Sequence, residues 1–325
     1  MALQIRDRGG GDRGRDLPAD IQQGCVATSA HDQDHTLHRH RLLSLHHFGS
    51  LSPPPSPTVP GKHPSVKFSI ITPSFNQGRF LTDCIESVLA QTGVEVEHIV
   101  TDAGSTDETL EVLGRYPHLK WTSEKDDGMS DGINKGFLQA TGDWLMWLNC
   151  DDFLLPGALE KVAAFIRENP SADIVHGDCI YIREDKTVMR RKYDTPVDEW
   201  DLLFVGCIIP STSAFYRREI ITSGNLLDVA YRNCMDWEYY LRLLRKGYRY
   251  LYLPEALAHF RWYEDSTTLR HWQRMIDEGL KAQREHIELR QLPAVLKDAT
   301  VLKLLRKVFQ VRRVMKRLLA HGRLS

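Results

Sequence analysis

The sequence predicts an α/β fold built on a parallel sheet with crossover helices, and two observations lead to this expectation. Strand and helix patterns alternate four times between residues 66 and 176, an arrangement typical of parallel strands joined by helices. The central strand pattern, Trp144–Leu148, is a continuous apolar run, as expected for a strand buried on both faces. Asp151 and Asp152 follow it closely, at the position where open α/β sheets bind their ligands.

The predicted elements follow from apolar periodicity and from cap and turn signals. Helix faces are recognised by apolar residues at i, i+4 spacing, and strands by β-branched or continuous apolar runs. The predicted strands are Val66–Thr72, Val96–Thr101, Leu119–Ser123, Trp144–Leu148 and Ile174–His176. Four helices alternate with them. The first follows a turn and has apolar positions from Phe80 to Leu89, the second begins near Asp107 with Leu110 and Leu113 inward, the third is capped by Ser130 and ended by Gly142, and the fourth runs from Pro156 to Glu168.

Composition excludes several classes of protein. The 325-residue chain has a formal net charge of −1, so no nucleic-acid partner is expected. Its six cysteines include no C-x-x-C pair; we expect no zinc site or disulfide framework, with Cys84, Cys150 and Cys179 in the core. No apolar run of membrane-spanning length and no signal peptide is evident. A cytoplasmic protein is therefore expected, with an association on the inner face of the membrane left open.

Residues 1–64 do not have the pattern of a fold. They contain a Pro-Pro-Pro-Ser-Pro run from Pro53 and seven of the 14 histidines, without persistent apolar periodicity. This composition predicts a disordered, low-complexity N-terminal extension. The cluster from His31 to His40 is expected to be a solvated tail rather than a metal site.

Three successive strand patterns end in carboxylates: Asp102, then Asp126 and Asp127, then Asp151 and Asp152. Right-handed crossovers return each strand in the same direction, so these side chains are expected along one edge of the sheet. Carboxylates accept hydrogen bonds from a nucleobase or ribose and hold Mg²⁺ or Mn²⁺ against a diphosphate. The alternative, that each acid merely caps a helix, accounts less well for three in a row.

Four motifs in order resemble the family 2 glycosyltransferases of the GT-A fold, of the bacterial cell-surface polysaccharide type. They are Thr72–Asn76, Asp102–Asp107, Asp127–Gly136 and Leu148–Asp152. The resemblance covers roughly residues 66 to 270. It implies a Rossmann-like mixed sheet flanked by helices, and transfer of a sugar with inversion from a nucleoside diphosphate donor.

The resemblance also implies a domain organisation. It assigns 65–275 to a GT-A glycosyltransferase domain, with a nucleotide-sugar-binding half at 65–178 and an acceptor half at 179–275. Residues 276–325 are then a basic, helical C-terminal tail.

Roles for individual residues follow from the resemblance, position by position. The nucleotide is expected to be held by Pro73, Asp102, Asp126, Asp127 and Asp151. A Mg²⁺ or Mn²⁺ ion is expected on Asp152, with Asp151 near the ribose and the metal. Asn149 stands where a strict Asp-x-Asp pattern has its first aspartate, which makes Asp152 the preferred ligand.

The second half of the chain carries the expected catalytic and diphosphate-binding residues. In the resembling family an acidic residue at the position of Asp236 is the general base that deprotonates the acceptor hydroxyl. Glu238 is the reserve candidate, and the alternative is that Asp236 only favours a helix N-terminus. Arg261 and Ser266 are expected on the diphosphate, in a segment where the family often has His at the position of Tyr263.

The C-terminal stretch Val295–Ser325 is a basic amphipathic helix, too charged to span a bilayer. Two interpretations remain open at this point. The helix either lies on an anionic membrane surface or packs on the catalytic domain with its basic face solvated.

The sequence therefore predicts a glycosyltransferase that uses a UDP- or dTDP-sugar and a hydroxyl of a glycan or lipid-linked acceptor. A catalytically inactive, membrane-associated nucleotide-sugar binder is the alternative from another class. A sugar nucleotidyltransferase is a weaker alternative, because the loop after the first strand is not Gly-rich and has only Arg79 beyond it.

Overall fold

The first half of the sheet is parallel, as the alternating pattern predicts. The computed structural model describes residues 65–321. Strands β1 (Lys67–Ser74), β2 (Glu95–Asp102), β3 (Lys120–Ser123) and β4 (Trp144–Trp147) run parallel in the order β3-β2-β1-β4. All four residues of β4 are buried, because β4 lies inside the sheet. The carboxyl ends of the four strands therefore open on one edge.

Four helices connect these strands and lead on to the next: α1 (Gly78–Leu89), α2 (Thr109–Gly114), α3 (Met129–Gln139) and α4 (Ala158–Glu168). The predicted inward face of α1 is confirmed for Phe80, Cys84 and Val88, which are buried, but not for Leu89, which is 52% exposed.

Three further local predictions on these helices were wrong: the inward position of Leu110, the cap at Ser130 and the helix start at Pro156. Leu110 is 40% exposed, and Val112 takes its place beside Leu113 in the core. Ser130 does not cap α3; its hydroxyl donates to the Tyr231 carbonyl (2.9 Å), and α3 begins after Gly128, whose φ of 109° suits glycine. Helix α4 begins at Ala158, after the predicted Pro156.

The second half of the sheet adds both parallel and antiparallel strands and makes the sheet mixed. Its strands are β5 (Phe153–Leu154), β6 (Ile174–Ile182), β7 (Val188–Lys192), β8 (Ala214–Arg217) and β9 (Tyr250–Arg261). The order is β3-β2-β1-β4-β8-β6-β9-β5, with β7 also on β6. Strand β8 is antiparallel to both neighbours, β4 and β6. A late segment of the chain thus separates two strands that are close in sequence.

The remaining helices cover the second half. They are α5 (Glu199–Val205), α6 (Arg218–Thr222), α7 (Met235–Arg245), α8 (Thr267–Arg270), α9 (Trp272–Leu289) and α10 (Ala299–His321), with 3₁₀ turns at Ser211–Ser213 and Ala294–Lys297. No helix in the described part of the chain is both long enough and apolar enough to cross a membrane.

A cluster of aromatic side chains joins β4 to α7. Trp147 stacks on Tyr216 of β8 (centroids 5.3 Å apart, 7° between planes) and contacts Tyr239 of α7 at 6.4 Å. Phe137 of α3 meets the Trp147 ring edge-on. Aromatic pairs of this geometry add stabilisation beyond the area they bury. The cluster therefore fixes α7 beside the carboxyl end of β4.

The last helix, α10, packs on the domain through part of its basic face. Arg313 is buried and pairs with Asp194, which also meets His176 Nδ1 at 3.0 Å. Burial alone would raise the pKa of Asp194, but the Arg313 guanidinium and His176 outweigh it and hold that pKa well below the ordinary value. The packed interpretation of this helix is thus supported, yet the expected solvation of its basic face is wrong for Arg313.

Candidate active site

The loops after β1 and β2 are bound to each other by hydrogen bonds. The Asn76 N–H donates to Ser105 Oγ (2.8 Å), and the Thr106 N–H donates to Asn76 Oδ1 (2.8 Å). Asn76 has a φ of 50°, a left-handed conformation that asparagine tolerates better than most residues. The first N–H of α1, from Gly78, donates to Asp107 (3.0 Å). These two motif loops therefore form one continuous surface at the sheet edge.

Asp102 ends β2 and holds the loop after β2 in place through hydrogen bonds. Its Oδ2 accepts from the Gly104 N–H (3.1 Å), the Ser105 N–H (2.9 Å) and Ser123 Oγ (2.6 Å). Its Oδ1 accepts from the Ser105 hydroxyl. Four donors occupy most of the acceptor capacity of a carboxylate, so this geometry favours a positioning role. Direct contact of Asp102 with a nucleotide stays a prediction.

Three buried polar atoms along this edge have no hydrogen-bond partner within the described residues. They are Ser74 Oγ, Thr101 Oγ1 and Asn149 Oδ1. Ser74 ends β1, Thr101 lies opposite Pro73 in the β1–β2 register, and Asn149 follows β4. Buried polar atoms nearly always find a partner in folded proteins. Three such atoms at the ends of three adjacent strands indicate a site that is completed by a polar ligand.

An acidic cleft of about 490 Å³ opens where α3 begins. Its lining residues are Lys125, Asp126, Asp127, Asp131 and Lys135. Asp126 is half-buried, and burial raises the pKa of its carboxyl. A Cβ atom on Gly132 would lie 2.9 Å from Asp126 Oδ2 and 3.9 Å from Pro73 Cβ. The structure thus brings the predicted nucleotide residues Pro73 and Asp126 together, with Asp127 exposed at the rim.

Asp151 and Asp152 differ sharply in their surroundings. Asp152 is 2% exposed; its Oδ1 accepts from the Arg261 backbone N–H (2.8 Å) and its Oδ2 from the Asn149 amide (3.4 Å). Asp151 is half-buried, and its Oδ2 accepts from the Tyr263 phenol (2.9 Å). Burial raises the pKa of both carboxyls, and the charge of Asp151 adds to the effect on Asp152. No Lys or Arg of the described chain forms an ion pair with either.

The donor atoms here fit a hard divalent cation. Asp151 offers a carboxylate, Asn149 offers an unpartnered amide oxygen, and Mg²⁺ and Mn²⁺ prefer such oxygens. Both oxygens of Asp152 accept hydrogen bonds from protein donors, so Asp151 is the better-placed ligand, and a metal contact by Asp152 stays a prediction. Residues 65–321 contain no group of three His, Cys, Asp or Glu side chains arranged to hold a metal.

Tyr263 closes over Asp151 as part of a chain of hydrogen bonds. Gln77 Nε2 donates to the Tyr263 phenol oxygen (2.9 Å), and Cys150 Sγ donates to Gln77 Oε1 (2.5 Å). The phenol ring also lies 5.0 Å from the Phe80 ring. Tyr263 is therefore a hydrogen-bond donor to the Asp151 carboxylate, for which a metal contact is predicted.

The Arg261 side chain makes several contacts within the protein, and its contact with a diphosphate stays a prediction. Its guanidinium is buried and donates to the Asp151 carbonyl (2.9 Å), the Glu184 carbonyl (2.7 Å) and Asp83 Oδ2 (2.8 Å). These contacts tie the end of β9 to α1 and to the acidic loop, which favours a positioning role over a diphosphate contact. Ser266, by contrast, has a buried Oγ without a partner in the described residues, as a phosphate-binding hydroxyl requires.

Asp236 lies in the first turn of α7 and is half-buried. Its Oδ1 accepts from the Trp237 N–H (2.8 Å), and the Cys207 thiol acts to lower the pKa of this carboxyl. Burial raises the pKa of this carboxyl above its ordinary value. The reserve candidate, Glu238, is engaged by Arg242 through two hydrogen bonds (2.7 and 3.0 Å). Asp236 is therefore the better candidate for a general base.

The segment that leads into α7 borders the acidic cleft. The Ser130 contact with the Tyr231 carbonyl joins it to the start of α3, and a Cβ on Gly128 would lie 3.7 Å from an Arg232 guanidinium nitrogen. The cleft and the helix that carries Asp236 are thus neighbours in space.

Sequence patterns did not identify Glu278 of α9, which anchors that segment. Its Oε2 accepts from the backbone N–H groups of Arg232 (3.0 Å), Asn233 (2.7 Å) and Cys234 (3.1 Å). These are the free donors that precede a helix N-terminus. An acid 44 to 46 residues downstream gives no local signal of this role. Gln77 was missed for the same reason, since its partners, Tyr263 and Cys150, are distant in sequence.

Comparison with known proteins identifies the family. The model of glycosyl transferase family 2 matches residues 69–235. The chain belongs to this family. A "PGL/p-HBAD biosynthesis glycosyltransferase" of Mycobacterium bovis is 34% identical over 181 residues, which span 54% of this chain and 68% of that protein. This member of family 2 is therefore a glycosyltransferase.

Two solved structures are similar in fold. S. aureus TarS 1–349 in complex with UDP-GlcNAc has a TM-score of 0.57 at 20% identity, covering 79% of this chain and 76% of that one. The mannosyltransferase PcManGT of Pyrobaculum calidifontis, in complex with GDP-Man and Mn²⁺, has a TM-score of 0.52 at 15% identity, covering 80% and 77%. The mixed sheet flanked by helices is thus the GT-A fold, as predicted.

Proposed function

We propose that this enzyme is an inverting, metal-assisted transferase that moves a sugar from a UDP- or dTDP-sugar to a hydroxyl of a glycan or lipid-linked acceptor. The observation that carries the proposal is the presence of two kinds of carboxylate beside β4. Within residues 65–321, Asp151 and Asp152 form no ion pair with a lysine or arginine, the charge of Arg261 only partly offsets the burial that raises their pKa values, and Asp236 is a separate half-buried acid with a raised pKa. The first arrangement suits a diphosphate–metal complex, and the second suits a base.

In the proposed mechanism the sheet edge holds the donor. Pro73, Asp126 and Asp127 bind the nucleoside in the acidic cleft, and Asp102 keeps the neighbouring loop in shape. Asp151 and the Asn149 oxygen would hold a Mg²⁺ or Mn²⁺ ion, which when bound neutralises charge on the diphosphate. The Ser266 hydroxyl donates to a phosphate oxygen of the same leaving group.

Asp236 would act on the acceptor. Its carboxylate takes the proton of the acceptor hydroxyl as that oxygen forms a bond to the anomeric carbon. The bond from the anomeric carbon to the diphosphate oxygen breaks on the opposite face, and the electron pair leaves with the nucleoside diphosphate. A single displacement of this kind inverts the anomeric centre.

The names of the similar structures support parts of this proposal. The TarS complex with UDP-GlcNAc supports a UDP-sugar donor, and the Mn²⁺ in the PcManGT complex supports a metal. Because that enzyme is bound to GDP-Man, GDP belongs among the nucleotides to be tested. All five cysteines of the described chain are free thiols, which supports a role in the cytoplasm.

Two measurements test the proposal. Calorimetric titration with UDP, dTDP and GDP, with and without Mn²⁺, should give metal-dependent binding of UDP or dTDP. If none of the three nucleotides binds, the donor assignment is overturned. The Asp236→Asn variant should keep nucleotide binding but lose transfer by about 10²-fold or more, because a general base typically contributes 10²–10⁴-fold. Weakened nucleotide binding with unchanged turnover would remove Asp236 from the catalytic role.

Binding and activity assays also separate the two alternative functions. An inactive nucleotide-sugar binder would bind UDP but transfer no sugar to any acceptor, with or without Asp236. A sugar nucleotidyltransferase would bind a nucleoside triphosphate and release pyrophosphate. The loop Pro73–Gly78 offers no lysine or arginine for a triphosphate, which keeps this alternative the weakest.

A further inference from the structure

The outward face of α10 is apolar along its whole length. Five side chains are between 52% and 84% exposed, and the spacing of four, three, four and four residues puts them on one stripe: Leu304, Val308, Val311, Met315 and Leu319. We refer to them as the α10 stripe. Surface apolar residues are ordinarily scattered singly, whereas a contiguous exposed row indicates a binding surface.

The inward face of the same helix is already occupied. Leu302 and Arg313 are buried, and the Phe309 ring lies 5.0 Å from Phe204 of α5. Arg312 and Lys316 form ion pairs with Asp198 and Asp201 near the start of α5. The helix is therefore held in place by this packing, and the stripe is presented on a rigid support.

Charge identifies the kind of partner. Lys303 and Lys307 are exposed along one border of the stripe; Arg312 and Lys316 lie along the other by helical spacing and are already paired with Asp198 and Asp201. Residues 299–321 contain no Asp or Glu. A second copy of α10 packed on this face would bring lysines together with no acid on the helix to pair them. An anionic lipid surface complements both features, because it takes apolar side chains into its interface and attracts the flanking lysines.

We propose that the α10 stripe binds the enzyme to the surface of an anionic membrane, with α10 parallel to the bilayer plane. The helix contacts α5, whose Leu202 carbonyl accepts a hydrogen bond from Trp237 Nε1 of α7 (2.8 Å). Helix α5 therefore connects the proposed membrane-facing helix, α10, to α7, which carries Asp236. Binding through the stripe would bring the proposed acceptor side close to lipids. This deepens the proposed function and rests on it only for the lipid-linked acceptor.

The test is flotation of the full-length protein with phosphatidylcholine vesicles that contain or lack phosphatidylglycerol, without nucleotide or acceptor. The protein should bind the anionic vesicles and lose binding as salt is raised. The triple variant Val308→Glu/Val311→Glu/Met315→Glu should lower the partition coefficient at least about tenfold, because apolar transfer is lost and anionic lipid repels the new acids. All three positions are exposed, so the fold should survive, as circular dichroism would verify.

Two further variants keep the test specific. Leu138→Glu changes a 68% exposed leucine on α3, far from the stripe in sequence, and should bind vesicles like the natural protein. Lys303→Gln/Lys307→Gln should weaken binding only to anionic vesicles. Failure of the natural protein to bind, or equal binding by the triple variant, would overturn the proposal.

Sedimentation velocity adds an independent outcome. A dimer that the triple variant dissociates, without vesicle binding, would assign the stripe to a second copy and overturn the membrane proposal. Because no nucleotide is present, these results do not depend on the metal or donor assignment. Loss of UDP binding alone would overturn the proposed function and leave membrane binding intact.

Discussion

Two groups of buried carboxylates in this molecule have opposite surroundings. Asp194, under α10, is paired with Arg313 and His176, and these partners hold its pKa well below the ordinary value. Asp151 and Asp152, after β4, have no ion-pair partner among the described residues, and burial raises the pKa of both. The nearest guanidinium, of Arg261, is directed instead to Asp83 and backbone carbonyls.

The difference teaches how a structural charge can be told from one held ready for a ligand. A buried acid whose cation is built into the fold stabilises the fold only while the pair is intact. A buried pair of acids without a cation costs free energy in the empty protein and is relieved when a cation binds. Such strained sites are typical of function. The proposed metal site and the α10 anchor are therefore expected to respond oppositely to mutation.

The largest effect is expected at the paired site. Arg313→Met should lower the free energy of unfolding by about 3–5 kcal/mol, because Asp194 is left buried without its guanidinium. Urea unfolding measures this change, and the exposed Arg306→Met should stay within about 0.5 kcal/mol of the natural protein. The double variant Arg313→Met/Asp194→Asn should recover part of the loss. A small effect of Arg313→Met would mean that the pair is not a structural anchor.

The unpaired site should give the reverse pattern. Asp151→Asn removes one of two mutually repelling acids whose raised pKa values make the folded state less stable as pH rises through them. At pH 7 the free energy of unfolding should therefore stay equal or increase. Metal-dependent UDP binding should weaken at least about tenfold, the factor that corresponds to 1.4 kcal/mol.

Asp194→Asn is the matched variant for that experiment, since it also replaces a buried aspartate. It should lower stability and leave the affinity for UDP unchanged. If Asp151→Asn destabilised the protein as Asp194→Asn does, the distinction between the two sites would fail.

The smallest effect is expected on the pH dependence of transfer. Asp236 must be deprotonated to act as a base, so activity falls as pH drops below its raised pKa. The Cys207 thiol acts to lower that pKa. Cys207→Ala should therefore move the acidic limb of the kcat profile to higher pH, while Cys207→Ser, which keeps a donor, should move it less. An acidic limb that does not move would separate Cys207 from the base.

The parallel half of the fold could be predicted from sequence because its signals are local. Strands β1, β2 and β4 begin and end within two residues of the predicted bounds, and β2, β3 and β4, which precede the predicted acids, run parallel, so that their carboxyl ends lie at one edge. Leu110 was placed wrongly because a six-residue helix is too short for its apolar face to be defined by spacing alone.

The mixed half depends on contacts between residues far apart in the chain. Tyr263 and Asp151 are 112 positions apart, and Arg313 and Asp194 are 119 apart. No pattern within a short window indicates such partners. The orientation of α10 was open for a related reason: an amphipathic basic helix can bury either face, and the position of Asp194 decides which one.

The contact between Glu278 and the entrance to α7 has a consequence for the design of shorter versions of this enzyme. The recognisable family region ends at residue 235, one residue before Asp236. A fragment cut there would lack the proposed base, and a fragment cut at 270 would lack the carboxylate that receives three backbone N–H groups before α7. Expression fragments should therefore include α9 and also α10, because Arg313 of α10 is the partner of the buried Asp194.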